Sequence, residues 1–436
     1  MDRHAWRQVG WILLVALAAR MGAAALWHHR TEGRFFFGDS ETYWHLARTI
    51  ARAEPYRYPA EGYDARVFRT PGYPVLLAPL FLAGGDEPPI FWARAQGAVI
   101  GALAAGGVWA LARQWFGPPA ALAAGLTAAV YPGAVATSAM VLTETPFAAL
   151  MLLQIGAWGA AWRSIGRRRA IWFALGAGAA AGAAVLVRPS WLLFTPCVVA
   201  LVWVIGWLRG GRDATAANGE TAVHRPAQNE PAVGLAVLAA MLVVLLPWWA
   251  RNWYATGHFV PTTLQVGASL YDGLSPHATG ASDMTFVPRF VAAERQRNAH
   301  AETPFEVRLD RRMRREALAW ARRHPGRVAR LAAVKFVRMW NLWPNEPELS
   351  AWPVRIVVAG TYVPVIILAL AGARRTFHLG WPYRLCWLPA VYFTALHMVF
   401  VSSIRYREPA MLALVVLAAG AIFPTAPETQ PQQEAR

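Results

Sequence analysis

Charge is scarce in this sequence. Only 15% of its 436 residues are charged and 56% are hydrophobic, whereas a soluble domain carries about 25% charge and 45–50% apolar residues. That shortage excludes an ordinary soluble fold. Cysteine is nearly absent as well. Cys197 and Cys386 both fall within apolar runs and show no metal-like spacing, so neither a disulfide framework nor a zinc site is expected, and both read as small core hydrophobes. Soluble-enzyme motifs are missing too. There is no phosphate-binding Gly-rich loop ending in Lys-Ser/Thr, no Gly-x-Ser-x-Gly elbow and no His-Glu-x-x-His. Histidines such as His45 and His397 are scattered and read as structural.

What the sequence does have is long uncharged runs, at 114–143, 170–187, 189–208 and 231–250. A helix needs roughly 20 mostly apolar residues to cross a bilayer core. On that measure we expect an all-α polytopic membrane protein with about ten spans. They lie near 9–27, 95–113, 117–137, 145–162, 170–187, 190–208, 231–250, 354–373, 385–403 and 408–424. The first run has some marks of a signal peptide, including Ala23–Ala25, but it is long enough to cross and reads as a retained span.

The net charge of +17 would suggest nucleic acid as a partner of a soluble protein. Here the basic residues lie mostly between apolar runs, where they orient the chain and touch anionic lipid. A cytoplasmic N-terminus places Arg3, Arg7, Arg113, Arg163, Arg167, Arg168, Arg169, Arg209, Arg212, Arg374, Arg375 and Arg384 inside. An even number of spans returns the C-terminus to the cytoplasm. The reading is therefore one transmembrane domain over 1–424 and a disordered cytoplasmic tail over 425–436.

Two expected outer loops, 28–94 and 251–352, are too long to be mere connections. In the first, Tyr43, Leu46, Ala47 and Ile50 recur at helical spacing, which predicts an amphipathic helix on the membrane surface. The apolar stretch 74–83 is too short to cross. The second loop holds two basic amphipathic stretches, 308–323 and 327–343, and the inner loop 210–230 reads as a linker.

Several charged residues stand where lipid and water meet. Phe35-Phe36-Phe37-Gly38-Asp39-Ser40-Glu41 joins three aromatics to two carboxylates. Asp39 reads either as a helix N-cap or as a general base at the mouth of the bundle. Glu41 either binds a cation or faces water. Glu144, in Thr143-Glu144-Thr145-Pro146, sits at the outer end of an uncharged run and reads as a helix-start anion or a second site carboxylate. Arg20 lies at span depth, where a charge usually has a partner or a task. Arg188, in Val187-Arg188-Pro189, either snorkels or clamps a lipid-linked phosphate. Arg251 and Arg405-Tyr406-Arg407 read as interfacial anchors or as ligands of an anion; the second cluster runs against the positive-inside bias.

These residues resemble the C-type glycosyltransferases, in particular the bacterial relatives of protein O-mannosyltransferases and of aminoarabinose transferases, family 39 and its neighbours. The matching pieces are Gly38-Asp39-Ser40-x-x-Tyr43, Arg69-x-Pro71-Gly72-Tyr73-Pro74, Thr143-Glu144-x-Pro146 and Val187-Arg188-Pro189. Leu246-Pro247-Trp248-x-x-Arg251-Asn252, Gly257-x-Phe259-Val260-Pro261, Gly267-x-x-Leu270 and Arg405-Tyr406-Arg407-x-Pro409 follow in the same order. The resemblance implies a polyprenyl-phosphate sugar donor and an acceptor hydroxyl on a lipid, glycan or protein. It implies an inner-membrane enzyme working at the non-cytoplasmic face. Asp39 would then be the base and Glu144 a second acid. Arg188, Arg251, Arg405 and Arg407 would be candidates for the phosphate, and Glu41, Tyr43, Arg69 and Tyr406 would bind substrate. The family's acidic motif is often Asp-Glu or Asp-Asp. Here Ser40 follows Asp39, which leaves a divalent metal on Asp39 and Glu41 open. No stretch resembles the extra C-terminal domain that some members use for acceptor recognition, so the acceptor is open too. The competing class is a transporter or flippase of lipid-linked sugars, which would show inverted repeats and paired broken helices.

Overall fold

The computed structural model describes residues 3–60, 62–213, 230–297, 302–345 and 351–423. From the N-terminus the helices are α1 (Arg3–Arg30), α2 (Gly38–Ala51), α3 (Gly72–Gly84), α4 (Ile90–Phe116), α5 (Pro118–Val130) and α6 (Pro132–Ala139). Next come α7 (Glu144–Arg163), α8 (Arg167–Val187), α9 (Phe194–Asp213) and α10 (Glu230–Thr256). The chain continues through α11 (Val266–Gly273), α12 (Val287–Arg297), α13 (Phe305–Arg323) and α14 (Pro325–Met339) and ends with α15 (Trp352–Thr376), α16 (Trp381–Val399) and α17 (Glu408–Ile422). A two-stranded antiparallel ribbon, β1 (Tyr58–Ala60) with β2 (Tyr63–Ala65), is a small departure from the all-α expectation.

Each expected span falls on a helix, but fewer meet the requirement for crossing. Among the described residues six segments are long and apolar enough: Arg3–Arg30, Ile90–Phe116, Arg167–Val187, Pro189–Leu208, Pro231–Thr256 and Trp352–Leu379. The α5–α6 pair makes a seventh if counted as one span; it bends by 48°. Pro132 explains the break, because it has no N–H to continue the helix. The carbonyls freed at the end of α5 are met by Arg20, which donates from Nη1 to Ala129 O (2.6 Å) and from Nη2 to Ala128 O (3.0 Å). This buried arginine thus has its partners in the backbone. The expected spans on α7, α16 and α17 are helical but fall short of the same measure. At 15 residues, α17 reaches only about 22 Å. It is buried along nearly its whole length and packs against α4, α5, α7, α15 and α16, so it forms the centre of the bundle.

Small residues bring the helices close. A Cβ on Gly372 would meet Leu417 O at 2.0 Å, and one on Gly178 would meet Val237 O at 2.2 Å. Such backbone approach is how helices gain contact in a lipid-like environment.

The segments assigned to outer loops gather at one end. The expected amphipathic helix is α2, with Tyr43, Leu46 and Ala47 buried, and the apolar stretch at 74–83 lies on the 13-residue α3. The two basic stretches lie on α13 and α14. Residues 214–229 of the expected linker and the expected tail 425–436 lie outside the described residues. The two long loops are bonded to each other: Leu264 N donates to Val67 O (2.9 Å), and Glu306 of α13 accepts from the amides of Arg66 (2.8 Å) and Val67 (3.3 Å).

Candidate active site

The site begins with Gly72. A Cβ there would stand 2.5 Å from Leu186 C and 2.6 Å from Val187 N. Only glycine lets the segment carrying Arg69 pass so close to the end of α8, where Arg188 follows. From the α2 side comes Asp39, the second residue of that helix. Phe37 is the N-cap, and no side chain caps the helix. The Asp39 carboxylate bonds to arginines instead of amides. Its Oδ1 accepts from Arg69 Nη2 at 2.5 Å, and its Oδ2 faces Arg405 Nη2 at 3.4 Å.

Arg405 then continues inward, with its Nε 2.9 Å from Glu144 Oε1. Arg188 Nη1 reaches the same oxygen at 3.1 Å and also donates to Thr143 Oγ1 at 3.1 Å. Glu144 is the first residue of α7, and no side chain caps this helix either. The result is a row of alternating charge, Arg69–Asp39–Arg405–Glu144–Arg188, drawn from five separate parts of the chain. Its outer members are half-exposed, with 35% of the Asp39 side chain open, whereas 2% of Glu144 and 9% of Arg188 are exposed. The row therefore descends from the mouth into the protein.

Aromatic rings lie against the guanidiniums. Arg69 lies over Tyr43 (5.4 Å) and Phe68 (5.1 Å). Arg405 lies over Phe37 and Tyr406, both at 5.1 Å, and Arg188 over Tyr406 at 5.4 Å. Tyr406 stacks in parallel on His397 at 4.3 Å. Such contacts orient an arginine while leaving its N–H edge available for oxygen.

Charge sets the proton state of Asp39. The Arg69 guanidinium, followed by that of Arg405, holds its carboxyl below the usual carboxylate range, against the opposing pull of burial. Burial pushes the Tyr43 hydroxyl above its ordinary value.

Seven of the residues singled out from the sequence thus converge: Asp39, Tyr43, Arg69, Glu144, Arg188, Arg405 and Tyr406. Three do not. Arg251 donates to Arg66 O (2.6 Å) and Tyr56 O (2.7 Å), bracing the segment between α2 and α3 against the end of α10. Arg407 is fully buried, donates to Met339 O (3.0 Å) and Asn341 O (2.6 Å), and covers the Tyr362 ring at 3.8 Å. Both arginines donate to backbone carbonyls and stand apart from the charge row, so they are not carried forward as phosphate ligands. Glu41 is exposed on α2. Among the described residues no three His, Cys, Asp or Glu side chains converge as a metal site. Asp39 already faces two guanidiniums, which repel a further cation. The donor set does not fit a divalent metal.

Two contributors were not legible in advance. His397 has no motif around it, and its place under Tyr406 follows only from the packing of α16. Glu306 lies within a basic amphipathic helix and, from more than two hundred residues away, accepts from the amides of Arg66 and Val67 in the segment that leads to Arg69.

The dolichyl-phosphate-mannose-protein mannosyltransferase family model matches residues 71–211, about a third of the chain. No curated protein matches the sequence. Among solved structures, the oligosaccharyltransferase AglB of Archaeoglobus fulgidus, in complex with an inhibitory peptide and a dolichol-phosphate, superimposes with a TM-score of 0.59 at 14% identity. That match covers 97% of this chain and 51% of the other. An Archaeoglobus fulgidus oligosaccharyltransferase in complex with Zn and sulfate gives 0.56 at 16% identity, covering 94% and 49%. ArnT of Cupriavidus metallidurans, bound to undecaprenyl phosphate, gives 0.45 at 15% identity, covering 97% and 79%. This chain spans about half the length of the oligosaccharyltransferase. The chain therefore shares its fold with the archaeal oligosaccharyltransferase and, over residues 71–211, matches the dolichyl-phosphate-mannose-protein mannosyltransferase family model.

Proposed function

We propose that this chain transfers a sugar from a polyprenyl-phosphate carrier to an acceptor hydroxyl on a lipid, glycan or protein. On this reading the work is done at the non-cytoplasmic face of the inner membrane, by one domain over residues 1–424 whose termini are cytoplasmic. The observation that carries the proposal is the charge row. It joins three cations, Arg69, Arg405 and Arg188, to two carboxylates, Asp39 and Glu144. One positive charge is left over. A lipid-linked phosphodiester has one negative charge, and a planar guanidinium matches its oxygens.

The chemistry follows from these parts. The acceptor hydroxyl gives its proton to Asp39, and its oxygen attacks the anomeric carbon. The bond from that carbon to the phosphate oxygen breaks, and the electron pair leaves with the lipid phosphate. Arg405 and Arg188 stabilise the second charge that develops there. An Asp39 held by two arginines is a weak base. A donor phosphate that draws one guanidinium away would raise the basicity of Asp39 and free one of its oxygens at the moment the donor is seated. Glu144 keeps Arg405 and Arg188 at the correct depth. The dolichol-phosphate named with the Archaeoglobus enzyme supports a lipid-phosphate donor for this fold.

The test is transfer from a polyprenyl-phosphate sugar by the purified protein and its Arg405 variants. Arg405→Ala should raise the donor KM by about tenfold or more, the worth of one charged hydrogen bond, and Arg405→Lys should recover only part. Unchanged donor kinetics in Arg405→Ala would remove this arginine from donor binding.

A further inference from the structure

Beneath the charge row lies a second polar cluster, which shares Glu144 with the row and adds three polar residues that the mechanism above does not use. A small cavity is lined by Arg20 from α1, Glu144 and Thr145 from α7, and Glu408 from α17, among apolar neighbours. All four side chains are more than nine-tenths buried: Arg20 0%, Glu144 2%, Thr145 6% and Glu408 5% exposed. One polar atom of each has no protein partner, namely Arg20 Nε, Glu144 Oε2, Thr145 Oγ1 and Glu408 Oε2. Leaving a buried donor or acceptor unmatched is costly, so four around one space call for a common ligand.

Two glycines make the room. A Cβ on Gly133 would fall 1.8 Å from Glu408 Oε2, and one on Gly101 would fall 2.6 Å from Arg20 Nε. Alanine at either position would drive these groups from their places. The cavity leaves about 10 Å³ for the centre of a water molecule, close to the roughly 10–15 Å³ that a single water needs. The donors and acceptors balance as well. A water has two protons to give, and the two carboxylate oxygens accept them. It has two lone pairs, and the Arg20 Nε–H and the Thr145 hydroxyl donate to them.

We propose that Arg20, Glu144, Thr145 and Glu408 hold one internal water that fixes the free oxygen of Glu144. The opposite oxygen of Glu144 carries Arg405 and Arg188, so the water orients both arginines through this carboxylate. Arg20, Thr145 and Glu408 are then positioning residues. This assignment explains why the first span carries an arginine at depth: its Nη atoms close the end of α5 and its Nε faces the water. It also gives the second oxygen of Glu408 a partner, the first being shared with Arg407 Nε at 3.7 Å. The kinetic consequence rests on the proposed donor reading, whereas the water site itself does not.

The test has two arms. A high-resolution cryo-electron microscopy map of the wild-type protein should show one density peak within hydrogen-bond reach of all four atoms. Separately, Thr145→Val removes a hydroxyl at nearly constant volume. It should lower thermal stability and raise the donor KM by about tenfold with a smaller change in kcat. Thr145→Ser should restore both. A map in which Glu144 and Glu408 touch directly, with no peak between them, would overturn the site even if transfer proceeds as proposed. So would a Thr145→Val variant with wild-type stability and donor KM. If the valine variant does not fold, the wild-type map decides alone. If the wild type transfers no sugar, the map and the melting arm still decide.

Discussion

Glu144→Gln is the perturbation whose cost can be worked most fully from the geometry. Both Arg405 Nε and Arg188 Nη1 approach Glu144 Oε1, at 2.9 and 3.1 Å. The two cationic atoms are therefore within about 6 Å of each other, and at an effective dielectric constant of about 20 their repulsion is about 3 kcal/mol. In the wild type the carboxylate between them offsets that repulsion. Glutamine keeps the volume and one carbonyl acceptor but removes the charge. With Glu144 only 2% exposed, water replaces little of the loss. Breaking a buried pair by removing one partner costs about 3–5 kcal/mol; the retained acceptor places this case near the lower end. The expected result is a stability loss of about 3 kcal/mol, together with weaker use of the lipid donor as Arg405 and Arg188 separate. Thermal unfolding followed by tryptophan fluorescence, with a donor titration on the same preparation, measures both. A change below about 0.5 kcal/mol, the size of an ordinary surface substitution, would refute the reasoning that Glu144 holds the two arginines.

Arg407→Ala should lower stability by about 2 kcal/mol or more, from the buried Met339 carbonyl left without its donor, and Arg251→Ala by about 1 kcal/mol or less, because water can reach the Arg66 carbonyl it serves; the donor KM of the folded fraction should stay near wild type in both, and a large KM effect in either would return that residue to the site. For Asp39 the pH dependence has a definite sign. Its folded carboxyl lies below the usual value because of Arg69 and Arg405, so its contribution is fully present above the unfolded value of about 3.9. That contribution is lost as pH falls through the lower folded value. The stability difference between the wild type and Asp39→Asn should be flat from pH 7 to about 5 and shrink below about 4; a difference that grows on acidification would contradict the ion pairs.

The membrane character was legible because apolar runs of span length are a one-dimensional signal. The count was less so. The 408–424 run reads as a span by composition, yet α17 is apolar because it is enclosed by other helices, and hydropathy does not separate burial in protein from burial in lipid. The site was legible where a motif puts a charge at the end of an apolar run, as for Asp39, Glu144, Arg188 and Arg405. It was not legible where the charge serves the backbone. Arg251 and Arg407 stand in the same kind of sequence setting as Arg188 and Arg405, and only the fold shows that both Nη atoms of Arg251 and the Nη1 of Arg407 donate to carbonyls. Local sequence allows Asp39 as an N-cap, but the helix begins at Gly38 with Phe37 as its N-cap, and the carboxylate meets two arginines from distant segments.

The central claim is that Asp39 accepts the acceptor's proton during transfer from a lipid-phosphate sugar. Purified Asp39→Asn protein tests it most directly, assayed for transfer from a polyprenyl-phosphate sugar with its thermal stability recorded on the same sample. Asparagine keeps the size and can still accept hydrogen bonds from Arg69 and Arg405, but it has no carboxylate to take a proton. The account predicts a folded protein whose transfer rate has dropped by about 10²–10⁴-fold, the usual worth of a general base. A folded variant that transfers at the wild-type rate would contradict it.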